Sequence, residues 1–168
     1  DFIAPIRAAI RGDSKRWHHG ASRRAQRAPR EADPERPRLA VYGRLIVAGR
    51  ADAPARFACD WEGIALYGGV LEARDAHLEG AVRGVSALDG AKAFLEDCVF
   101  TDCAVSVEVC GGSSLDAEGV RVDGGALALG VDDGSRARWR GGWARGVAAG
   151  FRLPGGSRLT HHETACPA

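Results

Sequence analysis

Apolar and polar residues alternate in short segments that recur every 22 residues along most of the chain. Alternation with a period of two predicts β-strands that bury one face and expose the other. The alternation is interrupted three times in each repeat, so each repeat is predicted to contain three short strands. One apolar position of the repeat is occupied by Leu71, Ala93, Leu115, Ala137 and Leu159.

Glycine residues follow the same 22-residue spacing and predict the bends between strands. They stand in turn-forming contexts such as Asp89-Gly90 and Asp133-Gly134. Glycine reaches positive φ angles at little cost, as a tight bend requires. The predicted turn glycines are Gly68, Gly90, Gly112, Gly134 and Gly156.

A single repeat of this kind has nothing to pack against, so stability requires that successive copies stack. Stacking pairs each strand with its equivalent about 4.8 Å away. The sequence therefore predicts an all-β fold, a right-handed parallel β-helix (solenoid) of about six coils. A propeller blade would need roughly forty residues per repeat, and a leucine-rich repeat would need its Leu/Asn consensus.

Three regions are predicted along the chain. Residues 1–37 form a basic N-terminal cap and extended arm, whose apolar segment 2–10 covers the first coil. Residues 38–159 form the parallel β-helix, with a looser register before Gly68, and residues 160–168 form a C-terminal cap or tail. The sequence starts at Asp1 instead of Met, which fits either removal of a signal peptide or a cut from a longer chain.

One stretch near the start of the repeats carries a family resemblance. Segment 43–49 reads Gly-Arg-Leu-Ile-Val-Ala-Gly and is followed by Pro54, Phe57 and segment 61–64, Trp-Glu-Gly-Ile. This resembles the G-x-L-x-V-x-G … P-x-x-F … W-x-G-I pattern of bacterial right-handed β-helix repeat proteins of the pectate-lyase-like superfamily, over about residues 38–159. The resemblance implies the fold, and it implies export to the periplasm, cell surface or medium. A cytoplasmic location is the alternative.

Outward carboxylates are the candidates for catalysis, because enzymes of this superfamily generally gather carboxylates in an outer groove. However, Asp116 and Glu118 each precede an arginine, Arg138 or Arg140, by 22 residues, which predicts cross-strand ion pairs. Coils of 22 residues without insertions also leave no long loops to build a cleft. We expect no catalytic residue and no enzyme activity. A polysaccharide lyase or glycosidase is the alternative.

Charge is distributed unevenly. Residues 1–38 carry ten basic and five acidic residues, a net of +5, whereas residues 39–168 carry thirteen basic and seventeen acidic residues, a net of −4. The arm is predicted to bind a protein partner or the acidic body of a second copy. A solvated arm without a partner is the alternative, and nucleic acid is not expected because Trp17 is the only aromatic residue near its arginines. These candidate partner-binding residues are Arg23, Arg24, Arg27 and Arg30.

Cysteine and histidine spacing does not predict a metal or cofactor. The pairs Cys98–Cys103 and Cys103–Cys110 are candidate disulfides, and buried free thiols are the equal alternative. The clusters His18-His19 and His161-His162-Glu163 lack the spacing of a zinc site. No apolar run is long enough to span a membrane. We therefore expect no metal, no cofactor and no membrane span.

Three aromatic residues are candidates for surface contacts. Phe94 and Trp143 occupy outward positions and Tyr67 lies at a bend, where a ring can contact a protein or stack on a sugar. A local shift that turns Trp143 inward in place of Trp139 is the alternative.

Together these features predict a non-catalytic structural or interaction module that docks in a larger bacterial assembly or envelope structure. A carbohydrate-binding or carbohydrate-processing β-helix is the alternative.

Overall fold

A computed structural model of the protein describes residues 36–154 and 156–162. Within these ranges the chain forms seventeen β-strands and no helix, which confirms the predicted all-β solenoid. The strands belong to three parallel sheets, and the chain visits the sheets in turn. Consecutive strands therefore lie in different sheets, and each strand pairs with an equivalent strand of the next coil.

In each sheet the strands lie side by side in the order in which the chain forms them. Sheet 1 contains β1 (Arg38–Val41), β4 (Gly63–Tyr67), β7 (Arg83–Leu88), β10 (Val105–Val109), β13 (Leu127–Val131) and β16 (Ala149–Arg152). Sheet 2 contains β2 (Arg44–Ala48), β5 (Val70–Arg74), β8 (Lys92–Glu96), β11 (Ser114–Glu118), β14 (Arg136–Arg140) and β17 (Arg158–His162). Sheet 3 contains β3 (Ala55–Trp61), β6 (Ala76–Ala81), β9 (Val99–Thr101), β12 (Arg121–Asp123) and β15 (Trp143–Arg145).

The register of sheet 2 follows the predicted spacing from its second strand onward. Leu71 pairs with Ala93, and equivalent residues remain 22 apart through β17. The first coil is longer, because Leu45 pairs with Leu71, 26 residues later. Strand β17 extends the regular pairing to His162, three residues beyond the predicted end of the solenoid at Leu159. Backbone pairing to β14 continues here although the apolar alternation has ended.

The interior of the solenoid is filled by the inward side chains of all three sheets. Trp139 is the largest of them and is 1% exposed. It continues the inward column of Ala117, and its ring makes a T-shaped contact with the Phe151 ring at a centroid distance of 5.8 Å. Trp143 is half-buried while its neighbour Ala144 lies in the core, so the alternative in which Trp143 replaces Trp139 is not realised.

Residues with left-handed backbone form the corners between sheets. The five predicted turn glycines have φ angles of 64–88°, as in Gly68 and Gly156. Asp75 and Asp97 adopt the same conformation at the corner between sheets 2 and 3, with φ angles of 47° and 49°. Short polar side chains tolerate this region better than larger ones, so Asp replaces Gly in these coils.

Buried serines join adjacent coils at the corner that leads into sheet 2. The Oγ atom of Ser113 accepts a hydrogen bond from the backbone N–H of Ala91 at 3.1 Å. Ser135 Oγ accepts one from the backbone N–H of Ser113, also at 3.1 Å. Both serines are 1% exposed. The Ser135 hydroxyl thus satisfies the buried N–H of Ser113, whereas the N–H of Ala91 also donates to the carbonyl of Leu88 at 3.2 Å.

Candidate functional site

The outer surface of sheet 2 carries rows of opposite charges on successive coils. Arg44 donates two hydrogen bonds to Glu72 Oε1, at 3.0 and 2.7 Å, and Arg74 contacts Glu96 Oε2 at 2.6 Å. The hydrogen bonds from Arg44 to Glu72 raise the pKa of the Arg44 guanidinium above its ordinary value. All four side chains are at least 39% exposed, so solvent screens these pairs and each contributes little stability.

The C-terminal coils contain the ion pairs that the sequence predicts. Arg138 lies 3.6 Å from Asp116, and Arg140 lies 3.0 Å from both Asp116 and Glu118. Their strands are paired in the predicted register. The carboxylates are thus neutralised by arginines of the next coil. This arrangement ties neighbouring strands together.

Two large apolar side chains interrupt the charged rows of sheet 2. Ile46 is 55% exposed and Phe94 is 45% exposed. Both lie in one outward column, with Glu72 between them. Two strand spacings separate them, which is about 10 Å. The surface therefore presents a small apolar centre surrounded by charged residues.

Two arginines at the C-terminal end of the same surface lack a carboxylate partner among the described residues. Arg136 and Arg158 are exposed and directly paired in adjacent strands. Like charges at directly opposed positions repel each other. This part of sheet 2 therefore attracts negatively charged groups.

A buried ionic chain on the outer surface of sheet 1 was not predicted from the sequence. Arg83 lies between two carboxylates, 3.7 Å from Glu62 and 3.3 Å from Glu108, and Arg38 lies 3.6 Å from Glu62. The two glutamate side chains are only 3% and 5% exposed. The position of Glu108 between Val107 and Val109 indicated that it points outward, but no sequence signal indicated that it is buried.

The outer surface of sheet 3 combines one aromatic residue with an ion pair. Arg145 places its guanidinium carbon 4.6 Å from the Trp143 ring centroid and bonds Asp123 Oδ2 at 2.5 Å. The hydrogen bond from Arg145 lowers the pKa of Asp123. On the same sheet, His77 Nε2 lies 2.8 Å from Thr101 Oγ1. One face of the Trp143 ring is therefore covered by its own chain.

The three predicted surface aromatics lie on different parts of the solenoid. Phe94 is in sheet 2 and Trp143 is in sheet 3. Tyr67 ends β4 of sheet 1, where its ring stacks on Tyr42 at a centroid distance of 5.3 Å. The structure therefore does not gather them into one groove. Tyr42 and Ile46, both more than half exposed, were missed by the sequence analysis.

The cysteines that could have paired remain free thiols. Cys98 and Cys103 are buried on opposite sides of β9, and Cys110 is buried in the next corner. All three are free, so neither candidate disulfide is formed.

Within residues 36–154 and 156–162, no three His, Cys, Asp or Glu residues form a group that could hold a metal ion. Several candidates lie outside the described residues, namely Arg23, Arg24, Arg27, Arg30, the pair His18-His19 and Glu163. His161 and His162 end β17, where the His161 ring lies 6.0 Å from the Phe151 ring centroid.

Comparisons with known proteins do not assign the chain to a family. No family model matches the sequence, no curated protein matches it, and no solved structure gives a significant match. The described residues contain no helix of the length and apolar character needed to cross a membrane.

Proposed function

We propose that this protein is a non-catalytic structural or interaction module that docks on a protein partner through the outer surface of sheet 2. The observation that carries the proposal is the exposure of Ile46 and Phe94 in one column of that sheet. Exposed apolar side chains surrounded by charged residues are typical of the centre and rim of a protein interface. A rigid parallel sheet holds such residues at fixed distances.

The charge of this surface specifies the chemistry of the partner. Arg136 and Arg158 lie on the C-terminal side of the apolar centre and repel each other in the unbound protein. A partner that places carboxylates opposite them relieves this repulsion. We therefore propose a partner with an apolar contact residue and an adjacent acidic patch.

The proposed setting is a larger bacterial assembly or envelope structure, reached by export. It rests on the resemblance of segments 43–49 and 61–64 to exported bacterial β-helix repeat proteins. We also propose that the protein has no enzyme activity. The pairing of Asp116 and Glu118 with arginines supports this, because it removes two outward carboxylates from the set available for acid–base chemistry.

The proposal is tested by the mass of the native particle, measured by light scattering after gentle purification from the cells that produce it. One chain has a mass of 17.7 kDa. We expect the wild-type chain in a heavier particle and the double variant Ile46→Arg, Phe94→Arg at the mass of one chain. Leu153→Arg is the matched control, since it charges a residue that is 41% exposed outside sheet 2. It should leave the particle intact.

Two other results would contradict the proposal. A heavier particle that persists in the double variant would place the interface on another surface. If the wild-type protein has the mass of one chain, it does not associate with a partner. That result would favour the carbohydrate alternative, for which the outward Trp143 ring is the candidate stacking surface.

A further inference from the structure

Strand β17 has one edge that no other described strand covers. It is the last strand of sheet 2 and pairs with β14 alone among the described strands. The backbone N–H of Arg158 donates to the carbonyl of Ser135 in the preceding coil, at 3.1 Å. Because the backbone groups of successive residues in a strand point to opposite sides, those of Leu159 and His161 point away from β14. This edge can therefore pair with one more strand.

The inward side chains of this coil are less covered than their equivalents one coil earlier. Leu129 is 0% exposed and Trp139 is 1% exposed. Their paired residues in the last described coil are Phe151, which is half-buried, and His161, which is exposed. Leu159 is also half-buried, although the earlier members of its column lie in the core. Apolar surface thus lies beside an open strand edge, as at sites that bind a peptide by strand addition.

The charge of this end is positive. Residues 134–162 contain six arginines and no acidic residue. Elsewhere in sheet 2, arginines bind carboxylates of an adjacent strand, as Arg140 binds Glu118. Arg158 is instead paired with Arg136. An added strand that carries a carboxylate beside Arg158 would restore the alternation of charges between coils.

We propose that the open edge of β17 binds an extended segment of a partner protein in which acidic and apolar residues alternate. The segment adds as a parallel strand, in the way that β17 pairs with β14. Its apolar side chains cover Leu159 and His161, and an outward carboxylate binds Arg158. This goes beyond the proposed function, because it defines a second contact surface at the end of the solenoid and the conformation of the segment that binds there.

A short synthetic peptide tests the proposal. The probe is fluorescein-labelled Glu-Val-Thr-Val-Glu, and its binding to the full chain is followed by fluorescence anisotropy at low salt. We expect saturable binding, and binding of Lys-Val-Thr-Val-Lys that is at least about tenfold weaker. Arg158→Glu should reverse this preference, so that the lysine peptide binds more tightly than the glutamate peptide.

The backbone contribution is tested with a matched pair of variants. His161→Pro removes an N–H that points to the open side, where proline is tolerated in an edge strand, and should weaken binding of the glutamate peptide at least about tenfold. His161→Ala keeps the N–H and should bind the peptide as the wild-type chain does. If His161→Pro does not fold, the peptide Glu-Val-Pro-Val-Glu makes the same test with the wild-type chain. It keeps both charges but lacks one strand N–H, and its binding should be similarly weakened.

Four outcomes would overturn the proposal. The absence of saturable binding to the wild-type chain would show that the edge does not accept a strand. Equal binding of the glutamate and lysine peptides would exclude Arg158 as the specificity residue. Equal binding of the proline peptide would show that charge alone is recognised, as a nucleic acid would also satisfy. Loss of binding in the double variant Ile46→Arg, Phe94→Arg would place the peptide on the outer surface of sheet 2, whereas unchanged binding there separates this site from the proposed function.

Discussion

Arg83 Nε lies 3.3 Å from Glu108 Oε2 in an ion pair whose side chains are only 18% and 5% exposed, although both are on the outer side of a sheet. Burial makes such a pair sensitive to the loss of one member, because the remaining charge stays desolvated. On sheet 2, Glu118 makes a similar pair with Arg140 at 3.0 Å, but its side chain is 60% exposed. The two glutamates therefore form a matched comparison of burial.

Glu108→Gln is expected to lower the free energy of unfolding by about 3 kcal/mol, since Arg83 loses its nearer counter-charge in a buried position. Glu118→Gln is expected to cost less than about 1 kcal/mol, because water screens the exposed pair. Urea unfolding of both variants measures the difference. Equal losses would show that the outer surface of sheet 1 is as well solvated as that of sheet 2.

The serine contacts between coils should also contribute measurably. Ser113→Ala and Ser135→Ala each remove an acceptor of a buried backbone N–H. Ser135→Ala is expected to cost about 1–2 kcal/mol, because it leaves the buried N–H of Ser113 without an acceptor. Ser113→Ala is expected to cost about 0.5–1 kcal/mol, because the N–H of Ala91 also donates to the Leu88 carbonyl at 3.2 Å. Ser114→Ala is the control, because this residue is half-buried on the outer side of sheet 2, and its loss should stay within about 0.5 kcal/mol. Urea midpoints that fail to separate the three variants would rule out this role.

Two corner glycines separate backbone strain from steric overlap. Gly134 and Gly142 have φ angles of 70° and 76°, but a Cβ at Gly134 meets open space whereas one at Gly142 would lie 1.9 Å from the carbonyl oxygen of Val120. Gly134→Ala should cost about 1–2 kcal/mol from the left-handed conformation alone. Gly142→Ala adds a backbone clash and is expected to cost more than about 3 kcal/mol or to prevent folding. Thermal unfolding of the purified variants tests this order.

Buried thiols should make the protein less stable in alkaline solution. Burial raises the pKa of Cys98 and Cys103 to about 11, from an ordinary value of 9.0. Between these values the unfolded chain loses thiol protons that the folded chain keeps, so stability is fully present below pH 9.0 and declines as pH rises toward about 11. Each thiol contributes up to about 1.4 kcal/mol per pH unit to this decline.

The contribution of one thiol is measured with Cys98→Ala, by following the free energy of unfolding from pH 8 to pH 11. The variant is expected to lose stability from the cavity at all pH values but to show a shallower decline above pH 9.0. Cys59→Ser, at an exposed position, is the control. If the free energy of unfolding falls with pH equally in Cys98→Ala and in the wild-type chain, the Cys98 thiol has the same pKa in the folded and unfolded states.

The inward columns and the corners were predictable because both depend on local information repeated many times. Leu71 and Leu115 face the core for the same reason, since stacking preserves the position of each residue within its coil. The register of the first coil was harder to predict. Its residues pair with residues 26 positions later in sheet 2, and the pairing of its third strand is irregular between Ala58 and Trp61. A single long coil supplies no second copy from which a period can be read.

For the candidate site, the sequence predicted only which side chains point outward. Phe94 was correctly placed outward by alternation, and its exposure of 45% agrees with that position. Ile46 lies in the looser first coil and was missed. Trp139 and Trp143 were both compatible with an inward position, and packing against Phe151 accompanies the inward placement of Trp139.

By itself, the sequence determined the class of fold, the three strands of each coil and the glycine corners, because alternation and turn chemistry act between residues close in the chain. Only the tertiary structure decided which outward residues meet solvent. Glu108 and Glu118 both occupy outward strand positions, yet their side chains are 5% and 60% exposed. The reason is physical: alternation sets the direction of a side chain, whereas its burial depends on the side chains packed around it, such as Arg83 beside Glu108.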